Sequence, residues 1–336
     1  MKSFIYKLLL FFVPFVVLLL VYIALDPFKV LKKYDAFLNT NASGRVALNK
    51  DFVSTTNFDI NFKNEQYNSF IFGNSRSIFY QVTDWKKHID SNSHCYHFDT
   101  SGEGIYSINK KVKYIDEKGL SIENVLLVLD YRTLLQFKPK TGHLFVIPPQ
   151  LVNNKNILSF HLEFLKAFLS PKFLFAYIDF KISGKVKQYM KTDYLIEDAP
   201  IFYDKKTNEI QFTEFEKMIS EEKYFTDEKK KIFYQRDSIL PYSPISIAQE
   251  QKIMLQEILD IFTKHKTNYK IIINPLYDQV KFNNQDMNYL IQLFGKNKVF
   301  DFSGVNKFTN DYKNYYETEH YRPTVANEVM NEIYKD

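Results

Sequence analysis

Ser75 lies in a short polar run, Gly73-Asn74-Ser75-Arg76-Ser77, that directly follows the apolar stretch Ser69–Phe72. A serine hydroxyl is a weak nucleophile until a base takes its proton, so a chemical role for Ser75 needs a histidine within hydrogen-bond reach. His320, in Glu317-Thr318-Glu319-His320-Tyr321-Arg322-Pro323, is the candidate base. Glu317, three residues earlier, can fold back to hold the imidazole in the right tautomer and stabilise its charged form. Gly102, within Asp99-Thr100-Ser101-Gly102-Glu103-Gly104, offers an unobstructed backbone N–H where an oxyanion would develop. The chemistry such a set performs is acyl transfer through a serine ester. Each residue also has an ordinary reading, as a turn or N-cap serine or as acids favouring a helix N-terminus. What favours the chemical reading is their ordered combination at one end of one sheet.

That sheet must be built from the apolar runs. Ser69–Gly73, Cys95–Phe98 and Asn124–Asp130 read as strands in the first half, and Tyr269–Asn274 and Val299–Phe302 in the second. Asn124-Val-Leu-Leu-Val-Leu-Asp130 is the clearest, a continuous apolar run ending in an acid. Such runs suit parallel strands covered on both faces. Helical patterns separate them: a stretch to about His88, Ile105–Lys118, about 247–265, 284–294, and a last helix starting near Pro323. The alternation predicts an α/β fold with a parallel sheet, and ligands in such sheets bind at the carboxyl ends of the strands. All four polar segments, including Asp130-Tyr131-Arg132, fall there. The alternation breaks between about 137 and 245, where Pro148-Pro149, an aromatic-rich stretch at 158–181 and a charged one at 214–236 suggest a helical insertion.

Before the sheet, Leu8–Leu25 is an uncharged run of 18 residues. As a helix it would span roughly 27 Å, close to the hydrocarbon thickness of a bilayer, and Pro14 is tolerated there. The run ends in Ala24-Leu25-Asp26-Pro27 without an A-x-A-like cleavage site, which argues for an uncleaved anchor. Lysines flank both ends (Lys2 and Lys7; Lys29, Lys32 and Lys33), so the positive-inside count does not choose a side. Residues 1–33 therefore read as an anchor, 34–66 as a tether and lead-in, and 67–336 as the main domain.

Composition narrows the remaining classes. The net charge is +5, but +4 belongs to residues 1–33, so the body is nearly neutral and lacks the basic excess of a nucleic-acid binder. The single Cys95 rules out an intrachain disulfide or a multi-thiolate zinc site. His94 and His97 on one strand are poor partners for a metal, and Gly102-x-Gly104-x-x-Ser107 lacks the third glycine of a dinucleotide fingerprint. No cofactor is expected. Only five arginines occur, and Arg76, Arg132 and Arg322 fall in or beside the site segments, where fixed forks could hold carboxylates such as Asp130 or Glu317.

The ordered segments resemble the SGNH hydrolase family, also called GDSL-like, in its membrane-anchored bacterial branch. Gly73-Asn74-Ser75-Arg76 is similar to the family's nucleophile turn, with Asn for Asp, and Phe98-Asp99-Thr100-Ser101-Gly102 to its second block. Tyr316–Pro323 is similar to its late Asp-x-x-His block, with Glu317 for Asp. The resemblance covers roughly 68–132 and 269–335. It implies an SGNH-like three-layer α/β/α sandwich, with Ser75, His320 and Glu317 catalytic and Gly102 in the oxyanion hole. It also implies an extracytoplasmic domain that hydrolyses or transfers acyl groups, with acetyl as the group, on an envelope or exported glycan. An integral-membrane acyltransferase would be the partner if acetyl groups come from inside the cell. One position departs from the family: its third block supplies an Asn donor to the oxyanion hole, where this chain has Asp130, with Arg132 or Arg76 able to neutralise it or to donate instead. That departure motivates a second reading, a catalytically silent relative that binds glycan or assembles a complex.

Overall fold

The computed structural model describes residues 2–40, 44–236 and 241–335; positions 41–43 of the lead-in and 237–240 of the insertion lie outside the described residues. Its centre is a five-stranded parallel sheet formed by β1 (Ser69–Gly73), β2 (Cys95–Asp99), β3 (Asn124–Leu129), β4 (Asn268–Ile273) and β5 (Val299–Asp301). The spatial order is β2-β1-β3-β4-β5. β1 and β3 are thus neighbours whose outgoing connections run to opposite sides, which opens a crevice at their carboxyl ends.

The strands are buried on both faces because alternate residues feed two separate cores. Phe70, Phe72, Leu127 and Leu129 join one core, while Ile71, Leu126 and Val128 join the other. The first core is covered by α2 (Lys50–Glu65), α3 (Ile105–Glu117) and the helices Gln249–His265 and Asn284–Phe294. The second is covered by the last helix, Pro323–Ile333, through Val325, Val329 and Met330, and by the fully buried Trp85. Helices therefore lie on both faces of the sheet.

Three segments differ from the sequence expectation. The lead-in contains α2, which Asn49 caps by accepting from the Phe52 N–H at 2.9 Å and which drives Phe58 into the core. The stretch after β1 is not one helix but 3-10 turns around a single short turn at Val82–Trp85, with Ile78, Phe79 and Tyr80 all buried. The insertion is only partly helical. It carries the helices Ile157–Phe168, Pro171–Ser183 and Thr213–Ser220, but also a hairpin of Phe202–Asp204 with Glu209–Gln211. The turn of that hairpin pairs with edge strand β2: the His97 N–H donates to Thr207 O at 3.0 Å, and Asn208 Nδ2 donates to His97 O at 2.8 Å. An open sheet edge is thereby closed.

The N-terminal helix α1 (Lys2–Leu25) contains a 22-residue apolar stretch, Phe4–Leu25, long enough to cross a membrane. It projects from the body and meets it near its end, where Tyr22 packs on Phe168 with ring centroids 5.1 Å apart. The exit is a fixed turn. The buried Asp26 carboxylate accepts from the Val30, Leu31 and Lys32 N–H groups and from the Tyr34 hydroxyl, all at 3.0 Å. Lys29 Nζ donates to Phe37 O at 2.6 Å, so the chain leaving α1 is stitched to itself.

Candidate active site

Ser75 leaves the carboxyl end of β1, directly at the crevice between β1 and β3. Its Oγ lies 2.8 Å from His320 Nε2. His320 belongs to a short antiparallel hairpin, Tyr315–Glu317 with His320–Tyr321, in which Glu317 and His320 are cross-strand partners. That pairing brings the Glu317 Oε1 onto His320 Nδ1. With Nδ1–H donated to the carboxylate, Nε2 is left as the acceptor that faces the serine hydroxyl. Burial alone would raise the Glu317 carboxyl, but the hydrogen bond and charge of His320, the Glu319 N–H and Lys229 outweigh it and hold it below its ordinary value. The group stays an anion, as an orienting carboxylate must.

Two supports hold this hairpin. From the sheet, Asn274 accepts from the Tyr321 hydroxyl at 2.8 Å and Pro275 O from that of Tyr315 at 3.0 Å. From the insertion, Glu216 accepts from Arg322 Nε at 3.0 Å and Nη2 at 2.6 Å, and from the Tyr316 hydroxyl at 2.6 Å. Arg322 is thus a bidentate fork, as its type suggested, but on Glu216 rather than Glu317.

Arg76 clamps the nucleophile turn to the histidine hairpin. Its Nε donates to Glu319 O at 2.9 Å, its Nη2 to the Glu319 carboxylate, and its Nη1 to Asp130 Oδ2 at 3.0 Å. Arg132 reaches the same Glu319 carboxylate at 2.6 Å and Asp278 at 3.2 Å. Both arginines do hold carboxylates, and neither guanidinium is aimed at the serine as a spare donor.

Asp130 is fully occupied. Oδ1 accepts from the Thr133 N–H at 2.9 Å and its hydroxyl at 3.1 Å, which makes Asp130 the N-cap of the turn Tyr131–Leu135. Oδ2 accepts from Asn74 Nδ2 at 2.9 Å and from Arg76. Burial pushes this carboxyl up, yet the Arg76 charge and the Asn74 and Thr133 hydrogen bonds overcome it, and the net shift is downward. Asp130 is therefore an anion turned into the protein, and the repulsion of an oxyanion that its type implied is neutralised. Its place in the site is structural: it fixes Asn74 and Arg76 on either side of Ser75.

Gly102 and Ser75 line one cavity. Gly102 adopts φ +58°, the left-handed region where glycine carries no Cβ penalty. Neither its N–H nor that of Ser75 donates a hydrogen bond among the described residues. Lys140 ties the loop down by donating Nζ to Gly102 O at 2.6 Å. Behind it lies a buried charge cluster: Lys111 Nζ stands 3.1 Å from Asp51, 2.5 Å from Glu103 and 2.5 Å from Thr100 Oγ1. Two carboxylates share one ammonium, and burial with the Asp51 charge keeps the Glu103 carboxyl pushed up to about 8 in spite of Lys111. Gly104 closes the loop, packed so tightly on Gln136 that a Cβ would overlap the Gln136 carbonyl.

Ser75 and His320 stand where two lobes of a cleft meet. One, about 590 Å³, is lined by Arg132, Lys140, Phe145 and Tyr194; the other, about 400 Å³, by Phe79, Ile201, Phe212 and Tyr316. Lys140 and Glu216 carry no local signal in the sequence, and each acts through a partner more than thirty positions away. The histidine on the sheet takes no part: His97 is buried with Nε2 3.0 Å from Ser77 Oγ.

The chain matches no known protein-family model, and no curated protein is similar to it.

Proposed function

We propose that the protein is a serine ester hydrolase or O-acyltransferase of SGNH type, with Ser75 as nucleophile, His320 as general base and Glu317 as its orienting carboxylate. The observation that carries this reading is the 2.8 Å contact of Ser75 Oγ with an imidazole whose other nitrogen bonds a carboxylate. In the first half-reaction His320 Nε2 takes the Ser75 proton as Oγ attacks an ester carbonyl carbon. The negative charge passes to the carbonyl oxygen, and the Gly102 and Ser75 N–H groups are the donors free to receive it. Collapse expels the alkoxide, which takes the proton from His320 and leaves the acyl group on Ser75. Water, or the hydroxyl of an acceptor, then repeats the sequence in reverse.

Both lobes mix apolar walls with charged side chains, Arg132 and Lys140 in one and Lys50, Asp198 and Lys229 in the other, which suits a substrate with polar groups on either side of the ester. In this reading α1 anchors the chain in a membrane and the domain works outside the cytoplasm on an envelope or exported glycan. An integral-membrane acyltransferase would supply acetyl groups if the reaction runs as transfer. The 2.8 Å geometry favours catalysis over the silent-subunit reading, which would leave the serine and histidine without a reason to meet.

The test is activity-based labelling of the full-length protein with a fluorophosphonate. Labelling is expected for the parent and lost in Ser75→Ala and His320→Ala. Equal labelling of Ser75→Ala would sink the proposal.

A further inference from the structure

The helices Ile157–Phe168 and Pro171–Ser183 of the insertion expose an apolar surface that the soluble parts of the fold do not explain. The first buries Phe160, Phe164 and Phe168, four residues apart, against Tyr22, Phe28 and Phe173. Its outer face should then be charged, yet Leu158 is 72% exposed, and Leu162 and Leu169 are exposed along the same stripe. On the second helix Phe173, Ala176 and Tyr177 face inward, while Phe175 at 66%, Ile178 and Ile182 at 83% face out with spacings of three and four. Six large apolar side chains on adjoining helices exceed the scattered exposure normal for a soluble surface.

Three observations say what covers them. The Tyr22–Phe168 contact sets the junction of the two helices beside α1, three residues before its end at Leu25. At 1.5 Å per residue that is about 5 Å below the end of the apolar helix, the depth at which interfacial helices lie. The stitched turn around Asp26 leaves no slack by which the body could stand away from that level. The segment 155–191 also carries seven lysines against two acids, Glu163 and Asp179, a charge excess that matches anionic headgroups.

We infer that these two helices form a lipid-contact hairpin that rests in the interfacial layer of the leaflet where α1 ends, with the apolar stripe among the acyl chains and the lysines at the headgroups. The inference rests on reading α1 as a membrane anchor. It has a consequence for the cleft. Ile196 packs in the same cluster as Phe168 and Phe173, and its neighbours Tyr194 and Glu197 line both lobes. The lipid contact would hold the cleft at a fixed height over the bilayer.

The test uses the full chain in liposomes of phosphatidylcholine with phosphatidylglycerol and no other protein. In a Cys95→Ala background, single cysteines replace Phe12 on α1, Ile178 and Ile182 on the stripe, and Glu328 on the last helix, and each carries an environment-sensitive fluorophore. Lipids spin-labelled near the headgroup are expected to quench the probes at 178 and 182 strongly, with little effect at 328, while deep-labelled lipids quench the probe at 12. If position 12 is quenched and 178 and 182 are not, the inference fails, including where aqueous iodide also fails to reach them because protein covers the stripe. If position 12 is not quenched, the anchor reading itself falls and the inference with it.

Discussion

Replacing Asp130 with Asn separates two accounts of the site. The amide is nearly isosteric, but it presents one oxygen where the carboxylate presents two. If that oxygen stays on the Thr133 N–H and hydroxyl, the new NH₂ points at Asn74 Nδ2 and Arg76 Nη1, which are both donors now 2.9 and 3.0 Å from Oδ2. One charge-assisted bond, worth about 1.5–3 kcal/mol, and one neutral bond, worth about 0.5–1.5 kcal/mol, are lost, together with a long one from Asn274 Nδ2 at 3.5 Å. A buried guanidinium also loses a counter-ion, for which removing one partner costs about 3–5 kcal/mol in all. Because Glu319 still holds the other end of Arg76, the low end applies, about 3 kcal/mol. In a chain of this size that lowers the melting temperature by about 6 °C. Differential scanning fluorimetry of the full-length protein, with fluorophosphonate labelling rate alongside, checks both stability and site. Asp130→Asn should melt lower and label more slowly. In combination with Arg76→Gln the losses should not add, because no cation is left stranded. If Asp130→Asn melts within about 1 °C of the parent and labels faster, Asp130 is an obstacle facing the oxyanion and not the acceptor hub described above.

Glu317→Gln should leave the fold intact and lower esterase turnover by about 10²–10⁴-fold, since the imidazole loses the anion that orients it and stabilises its charge; unchanged kcat would dismiss Glu317 from the triad. Gly104→Ala forces the loop away from Gln136 and should cost about 1–3 kcal/mol while reducing labelling of Ser75, and a variant as stable and as reactive as the parent would contradict the close packing. His97 is kept neutral by burial, with Lys111 adding to the effect, so that its proton affinity falls to about 3. Below about pH 6.5 the unfolded chain binds a proton that the fold does not, so this group makes stability fall as pH drops toward 3, by up to about 1.4 kcal/mol per pH unit. Glu103, pushed up to about 8, contributes with the opposite sign, so the readout is the difference between variants. His97→Gln should show a shallower loss of melting temperature than the parent between about pH 6.5 and 5, and parallel profiles would refute the assignment.

Much of the sheet was legible because each strand carries its own signal. Asn124–Leu129 is buried along its whole length, and its run of five apolar residues has few other places to go. The order of Ser75, Gly102 and His320 could be read because each follows or precedes a recognisable element, and the structure brings Ser75 and His320 together from 245 positions apart. What stayed hidden depends on partners rather than on local pattern. Helix α2, with Ser54, Thr55, Thr56 and Asn57 in its interior, has weak intrinsic propensity and is stabilised by burying Val53 and Phe58. Asp130 was legible as a departure in type, but its direction was not, because that is set by Asn74 and Arg76 on another strand's exit. Glu216 has no local signature at all; its value lies entirely in Arg322 and Tyr316.

The hairpin that carries His320 hangs between the sheet and the insertion, while the serine it serves leaves the sheet on its own strand, β1. Opening of that hairpin alone would strand Ser75 as an ordinary alcohol while the rest of the fold stays closed, since segments open locally at less cost than the whole. Whatever grips or loosens the insertion near Glu216 acts as a throttle on the base without touching Ser75. Reactivity of Ser75 is then a gauge of whether the two distant stretches of the chain are latched to each other, and it would fade before any bulk measure of unfolding moves.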